Sequence, residues 1–171
     1  MITAATSTQR INLLPGELVI VKNGETVWTV LGSCIAVIFY NKRLNISAVC
    51  HAQLPSKTFE AHCSESCISP CGQDEMDDFK YVSCSIKYML TSFQKLGIRN
   101  NEIDVRLYGG SNMLGLGSEK PRIGEKNIAV AKQLIKENDL TISSEDIRGY
   151  SSRAITHYSD LGMTKVKTND V

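Results

Sequence analysis

The sequence carries no excess charge of either sign. Its 19 Lys and Arg stand against 18 Asp and Glu, a formal net charge of +1 over 171 residues. Such a balance gives no broad basic field for nucleic acid or an anionic membrane surface. There is also no apolar run near the roughly 18 residues that a membrane-crossing helix needs, so no membrane insertion is expected. Proline is scarce at four residues, and aromatic residues make up 6%. No repeat or low-complexity tract is present. Residues 1–9 lack the charged and apolar regions of a secretion signal. A disordered start over residues 1–12 of a cytoplasmic protein is the expectation.

What remains is long enough for one domain with a sizeable core, expected over 13–171. Residues 14–22 read as a strand, Asn23-Gly24 as a hairpin turn, and 26–31 as the partner strand. Residues 74–96 read as a helix, with Phe79, Val82, Ile86, Met89, Leu90 and Phe93 on one stripe and Gly97 at its end. A strand at 103–108 leads into Gly109-Gly110. A second helix covers 124–138, turning Ile128, Ala131, Leu134 and Ile135 inward. The tail from 141 to 166 reads as two or three short strands around Gly149 and Gly162. The expected class is α/β in the layered α+β sense: a mixed β-sheet with two main helices packed against it.

The chemistry concentrates between residues 29 and 55. Cys34 follows the turn Leu31-Gly32-Ser33 and opens the apolar run 35–40, which is either a strand or a buried helix. Arg43 and Asn45 mark a turn. Residues 46–51 return as a strand ending at His51, and Pro55 closes the segment. A thiol needs a neighbouring base or a positive field to act as a nucleophile near neutral pH. His51 can take its proton and hold the imidazolium beside the thiolate. Gly32 allows a strained turn and close backbone approach, and the Ser33 and Cys34 amides can face a developing oxyanion. A plainer reading stands beside this one. Lone cysteines in apolar stretches are usually core residues.

Six cysteines are present. Cys50 precedes His51 on the strand and should face away from it, into the core. Cys63, Cys67 and Cys71 lie in a Cys-rich loop over 61–73. Their spacing of four is unusual for zinc, although with His62 they can fill a tetrahedral site. A redox role for the loop is the other option, and thiols are expected reduced. No metal and no cofactor is the primary expectation. Gly109, Gly110 and Asn112 lie in G-G-S-N-M, which lacks the Lys and spacing of a phosphate loop. The two glycines instead fit close approach beside the Cys34 turn, with Asn112 lining a cleft. His157, near Ile155 on a tail strand, is expected to be exposed.

The motifs L-G-S-C-I-A-V and C-H-A-Q-L-P, then Y-G-G-S-N-M at 108–113 and R-I-G-E-K-N-I at 122–128, resemble the chemoreceptor glutamine deamidase family, CheD. Arg153 and Gly162 fall where that family has an Arg and a turn Gly. The resemblance spans about residues 15–167. It implies a protein-glutamine glutaminase, a hydrolase converting Gln side chains of chemoreceptor cytoplasmic domains to Glu with release of ammonia. It further implies Cys34 as nucleophile and His51 as general base and acid. The family's third member, a Thr six residues before the Cys, corresponds to Trp28. Thr29 stands one residue nearer, and one step along a strand turns a side chain to the other face, so Thr29 reaches the site only if a bulge re-aims it. The resemblance also implies a CheC-type phosphatase as partner. The rival reading is a non-catalytic chemotaxis adaptor binding receptors or that phosphatase. A metal- or redox-switched module built on the Cys-rich loop is a third.

Overall fold

A computed structural model describes residues 9–22, 24–56, 78–113 and 122–169. Nine strands and two α-helices are present among them. They are β1 (Arg10–Asn12), β2 (Leu18–Lys22), β3 (Thr26–Leu31), β4 (Ile35–Asn41), β5 (Ile46–Ala52), α1 (Val82–Lys95), β6 (Asp104–Gly109), α2 (Ile123–Glu137), β7 (Ile142–Ile147), β8 (Ser152–Tyr158) and β9 (Met163–Asn169). The layered α+β class holds, with its strands divided between two sheets. One sheet has the order β1-β3-β8-β9, the other β2-β5-β4-β6-β7.

The five-stranded sheet is the middle layer, which explains the unbroken apolar runs of β4 and β5. Every residue of both strands is buried. Strands covered on both faces lose the alternation of a half-exposed strand. Ile35, Val37 and Phe39 of β4 meet Ala48 and Cys50 of β5 on the helix side, under Ile86, Met89 and Phe93 of α1 and Ile128 and Ala131 of α2. Phe39 and Phe93 pack edge to face at 5.9 Å. On the other face, Ala36, Ile38 and Val49 meet Val27, Leu31 and Ile155 of the four-stranded sheet. The run 35–40 is therefore a strand, and Cys50 is buried core as expected, its thiol pushed up to about 11 by burial.

Several expectations change. The segments flanking Asn23-Gly24 are strands, but not partners: β2 pairs with β5, and β3 with β1 and β8. A turn signal encodes a chain reversal, not which strand becomes the neighbour. The ordered chain starts before residue 13, because β1 runs parallel to β3 with Ile11 opposite Val27. Residues 1–8 lie outside the described residues. The first long helix begins at Val82, after a 3-10 turn at Asp78–Lys80; residues 74–77 of the expected helix lie outside the described residues. The tail forms three strands, β7, β8 and β9.

His157 is fully buried, not exposed. Residues two apart on a strand share a face, so the inward Ile155 takes His157 with it. Its Nε2 meets Ser47 Oγ at 2.7 Å and its Nδ1 meets Thr164 Oγ1 at 3.0 Å, which joins the two sheets. Burial and the nearby Arg106 charge push its pKa down to about 4, against the opposing charge of Asp104.

Candidate active site

The site lies where the two sheets face each other at one end of β4 and β5. Ala36 is paired with His51 across these strands. Cys34 is two residues before Ala36, packs against the same inter-sheet cluster and is half-buried. Cys34 thus ends the bend that leads into β4, next to the strand positions where Ile35 pairs with Ala52 and Ala36 with His51. The β4–β5 hairpin places the bend ending at Cys34 at the same end of the sheet as His51, seventeen positions on. Asn45, at φ 50°, closes that hairpin.

The backbone of His51 is held on both sides. Its N–H donates to the Glu17 carbonyl at 2.9 Å, and its carbonyl accepts from Gly16 N–H at 2.8 Å. Its ring is held from the other sheet. Thr29 Oγ1 lies 2.7 Å from His51 Nδ1 and donates to the Leu13 carbonyl at 2.7 Å. A hydroxyl has one hydrogen. With that hydrogen on Leu13, the Thr29 oxygen can only accept from the imidazole. The network therefore assigns the proton to Nδ1 and leaves Nε2 with its lone pair, the arrangement a general base requires.

The placement of Thr29 corrects the strand-counting expectation. No bulge is needed, because β3 pairs with β8 in unbroken register from Thr26 to Leu31. Thr29 is buried at 2% exposure, whereas Trp28 faces the outer side, its ring under the Arg10 guanidinium. The alternation cannot be carried from Cys34 back to β3, because residues 32–34 form a bend between the two sheets.

Burial sets the resting protonation. It raises the Cys34 thiol, with the residue's own backbone amide acting in the opposite sense. It lowers His51, against the Leu13 carbonyl and the Glu17 charge, which favour the protonated ring. Both shifts favour a neutral thiol beside a neutral imidazole. Both directions run against the ion pair expected from the sequence.

Gly109 and Gly110 sit against the Cys34 turn. A Cβ on Gly109, at φ 99°, would lie 2.3 Å from the Cys34 carbonyl oxygen, and Gly110 N–H donates to that oxygen at 2.8 Å. Gly32 does not adopt a positive φ, so the strained turn expected there is absent. Asn112 donates its N–H to the Gly149 carbonyl at 2.7 Å, and its Oδ1 accepts from Arg122. Among the described residues no cluster of His, Cys, Asp and Glu suits a metal ion. His62, Cys63, Cys67 and Cys71 lie outside them.

A family model for CheD chemotactic sensory transduction matches residues 69–168. The chain belongs to the CheD family. That match begins beyond His51, but relatives cover the rest. The chain is 32% identical to a probable chemoreceptor glutamine deamidase CheD 2 of Geobacter sulfurreducens, over 91% of this chain and 87% of the relative. It is 35% identical to a probable chemoreceptor glutamine deamidase CheD of Methanococcus maripaludis strain C5, over 82% of this chain and 83% of the relative. A relative of the same name from Oleidesulfovibrio alaskensis is 29% identical, over 92% of this chain and 71% of its own length. Coverage of 91% leaves too few residues at either end to omit Cys34 or His51.

Three features of this CheD chain were not singled out from its sequence. The Leu13 carbonyl fixes the Thr29 hydroxyl; nothing in a side-chain motif reports a carbonyl. Ser111 N–H donates to the Gly32 carbonyl at 2.8 Å, and Ser111 Oγ accepts from Arg153 at 2.5 Å. Arg153, itself buried, also donates to the half-exposed Asp146 at 2.8 Å, so this ion pair holds Ser111 against the bend at Gly32. Finally, Asn127 of α2 reaches the Cys34 turn. The helix-start motif 122–128 contained that residue without a role.

Proposed function

We propose that this chain hydrolyses glutamine side chains of chemoreceptors to glutamate, with Cys34 as nucleophile, His51 as general base and acid, and Thr29 orienting His51. The observation that carries this reading is the Thr29 contact to His51 Nδ1 at 2.7 Å, made on the face that Cys34 shares. It leaves Nε2 free to work on the thiol.

The steps follow from these groups. His51 Nε2 takes the Cys34 proton as the sulfur attacks the carboxamide carbon of the substrate. Backbone amides at Ser33 and Cys34 receive the oxyanion. Nδ1–H stays with Thr29, so the imidazolium formed is held in orientation. It gives its Nε2 proton to the departing nitrogen, and ammonia leaves behind a thioester. Water attacks the thioester carbon while His51 takes a proton from it. Collapse of this second tetrahedral species releases the glutamate side chain, and the proton returns to Cys34. No oxidant or metal enters the balance.

The names of the relatives support chemoreceptors as the substrate. Among the described residues no helix is long and apolar enough to cross a membrane. We place the protein in the cytoplasm, acting on receptor cytoplasmic domains. A CheC-type phosphatase is the partner we assign on family resemblance. The test is ammonia release from a receptor cytoplasmic fragment, comparing wild type with Cys34→Ala and mapping the one-dalton Gln-to-Glu shift by mass spectrometry. Cys34-dependent release is expected. Equal release from Cys34→Ala would overturn the mechanism, and no release from a receptor-binding wild type would favour the adaptor.

A further inference from the structure

Asn127 lies on the second turn of α2 and is completely buried. Its Nδ2 donates to two backbone carbonyls at once, Ser33 at 3.2 Å and Gln53 at 2.9 Å. The first residue precedes Cys34 and the second follows His51 by two. The first carbonyl belongs to the peptide unit whose N–H is that of Cys34. A trans peptide directs its N–H opposite to its C=O. Fixing the Ser33 oxygen therefore fixes the Cys34 amide, and donation to that oxygen strengthens the amide as a donor.

The helix is set to make this reach. A Cβ on Gly124 would lie 2.6 Å from the Gly110 carbonyl oxygen, so only glycine lets the first turn of α2 seat against the strand end beside Cys34. Asn127 Oδ1 is buried and meets no partner among the described residues. Rotating the amide to serve that oxygen would set it against the two carbonyls, so the orientation is assigned by the network. A scaffold position would gain from an apolar residue of the same size, because an unpaired buried oxygen is a cost. What the side chain supplies at this position is the two donated bonds.

We infer that Asn127 is a positioning residue for the reaction proposed above: it orients and polarises the Ser33–Cys34 peptide, and ties that turn to the strand carrying His51. The inference rests on the deamidase reading for its kinetic consequence, but its geometry can be read without substrate.

The test uses the full chain with Asn127→Asp, of equal size without a neutral donor pair, and Asn127→Ser, which keeps one donor. Turnover is measured on a receptor cytoplasmic fragment with Cys34→Ala as control. Iodoacetamide labelling of Cys34 is followed against pH by peptide mapping, and folding by thermal melts. For Asn127→Asp we expect kcat to fall about tenfold or more with KM held within about threefold. We also expect the pH midpoint for Cys34 labelling to rise by about half a unit or more, as the thiolate loses its oriented amide. Asn127→Ser should fall between. Turnover within about twofold of wild type in either folded variant would overturn the role. So would lower turnover with an unchanged labelling profile, which marks a scaffold residue, or failure of both variants to fold. If wild type itself shows no Cys34-dependent release, the deamidase reading fails, and the labelling profile still decides on Asn127.

Discussion

Thr29 Oγ1 stands 2.7 Å from His51 Nδ1, reaching from one sheet to the other across the core. The contact fixes the tautomer, because the hydroxyl hydrogen is already given to Leu13. Thr29→Val should remove the acceptor, free the ring to turn, and lower kcat by about 10²-fold or more. Thr29→Ser should stay within about tenfold of wild type, since the oxygen remains. Steady-state kinetics on a receptor fragment checks both, and equal losses would show that packing, not the hydroxyl, matters at this position.

Cys34 and His51 are both shifted toward their neutral forms by burial. Iodoacetamide labelling of Cys34 without substrate should therefore be slow at pH 7 and climb at alkaline pH, past the ordinary thiol range of about 8.5. His51 stays unprotonated to a lower pH than a free imidazole, so the acid limb of kcat/KM should fall below about pH 6.5. Fast labelling at pH 7 that is lost in His51→Ala would instead show a preformed ion pair.

His157 of β8, whose partner Ser47 lies at the opposite end of β5 from His51, predicts acid sensitivity. Its folded pKa, about 4, is below the unfolded value of about 6.5. The unfolded chain then binds the proton more readily. The stability this neutral ring contributes is complete above about pH 6.5 and is lost as pH falls toward the folded value, by about 3 kcal/mol in all. Denaturant titrations at several pH values should show this slope. His157→Gln, which offers Ser47 and Thr164 a partner that does not titrate, should flatten it.

Gly109→Ala tests the close approach beside the nucleophile. The added methyl would meet the Cys34 carbonyl oxygen at 2.3 Å, from a backbone at φ 99°. Strain of about 1–3 kcal/mol is expected, seen as a lower thermal midpoint. Turnover should fall as well, because the atom that must move belongs to Cys34. Unchanged stability and activity would show that the strand end relaxes without cost.

The two apolar runs following Cys34 and leading to His51 were legible as local features around a turn at Arg43 and Asn45, but periodicity alone left the first as either a strand or a buried helix. The helices were legible for the same reason, as a stripe of apolar residues needs only its own periodicity. Sheet membership was not. Asn23-Gly24 announces a reversal, yet β2 and β3 enter different layers, a choice made by burial on both faces. The same physics hid Thr29. Its distance from Cys34 along the chain says little, because the bend at 32–34 changes sheets, while its partner is His51 on another strand. His157 was misplaced by pairing it with the wrong face, although the period of two along β8 sets it beside Ile155. Asn127 was visible as a motif member but silent as a strap, since its partners are carbonyls 94 and 74 residues away.

The enclosure of β4 and β5 on both faces has a consequence for how this protein fails. The amides of that pair have no local route to solvent, so their hydrogen exchange should require opening of the whole domain. Loss of the strand that carries His51 and unfolding of the domain are then expected to coincide. A denaturant that leaves the fold intact has little means of dismantling the site from within, and a chain that refolds recovers its chemistry at the same moment as its core.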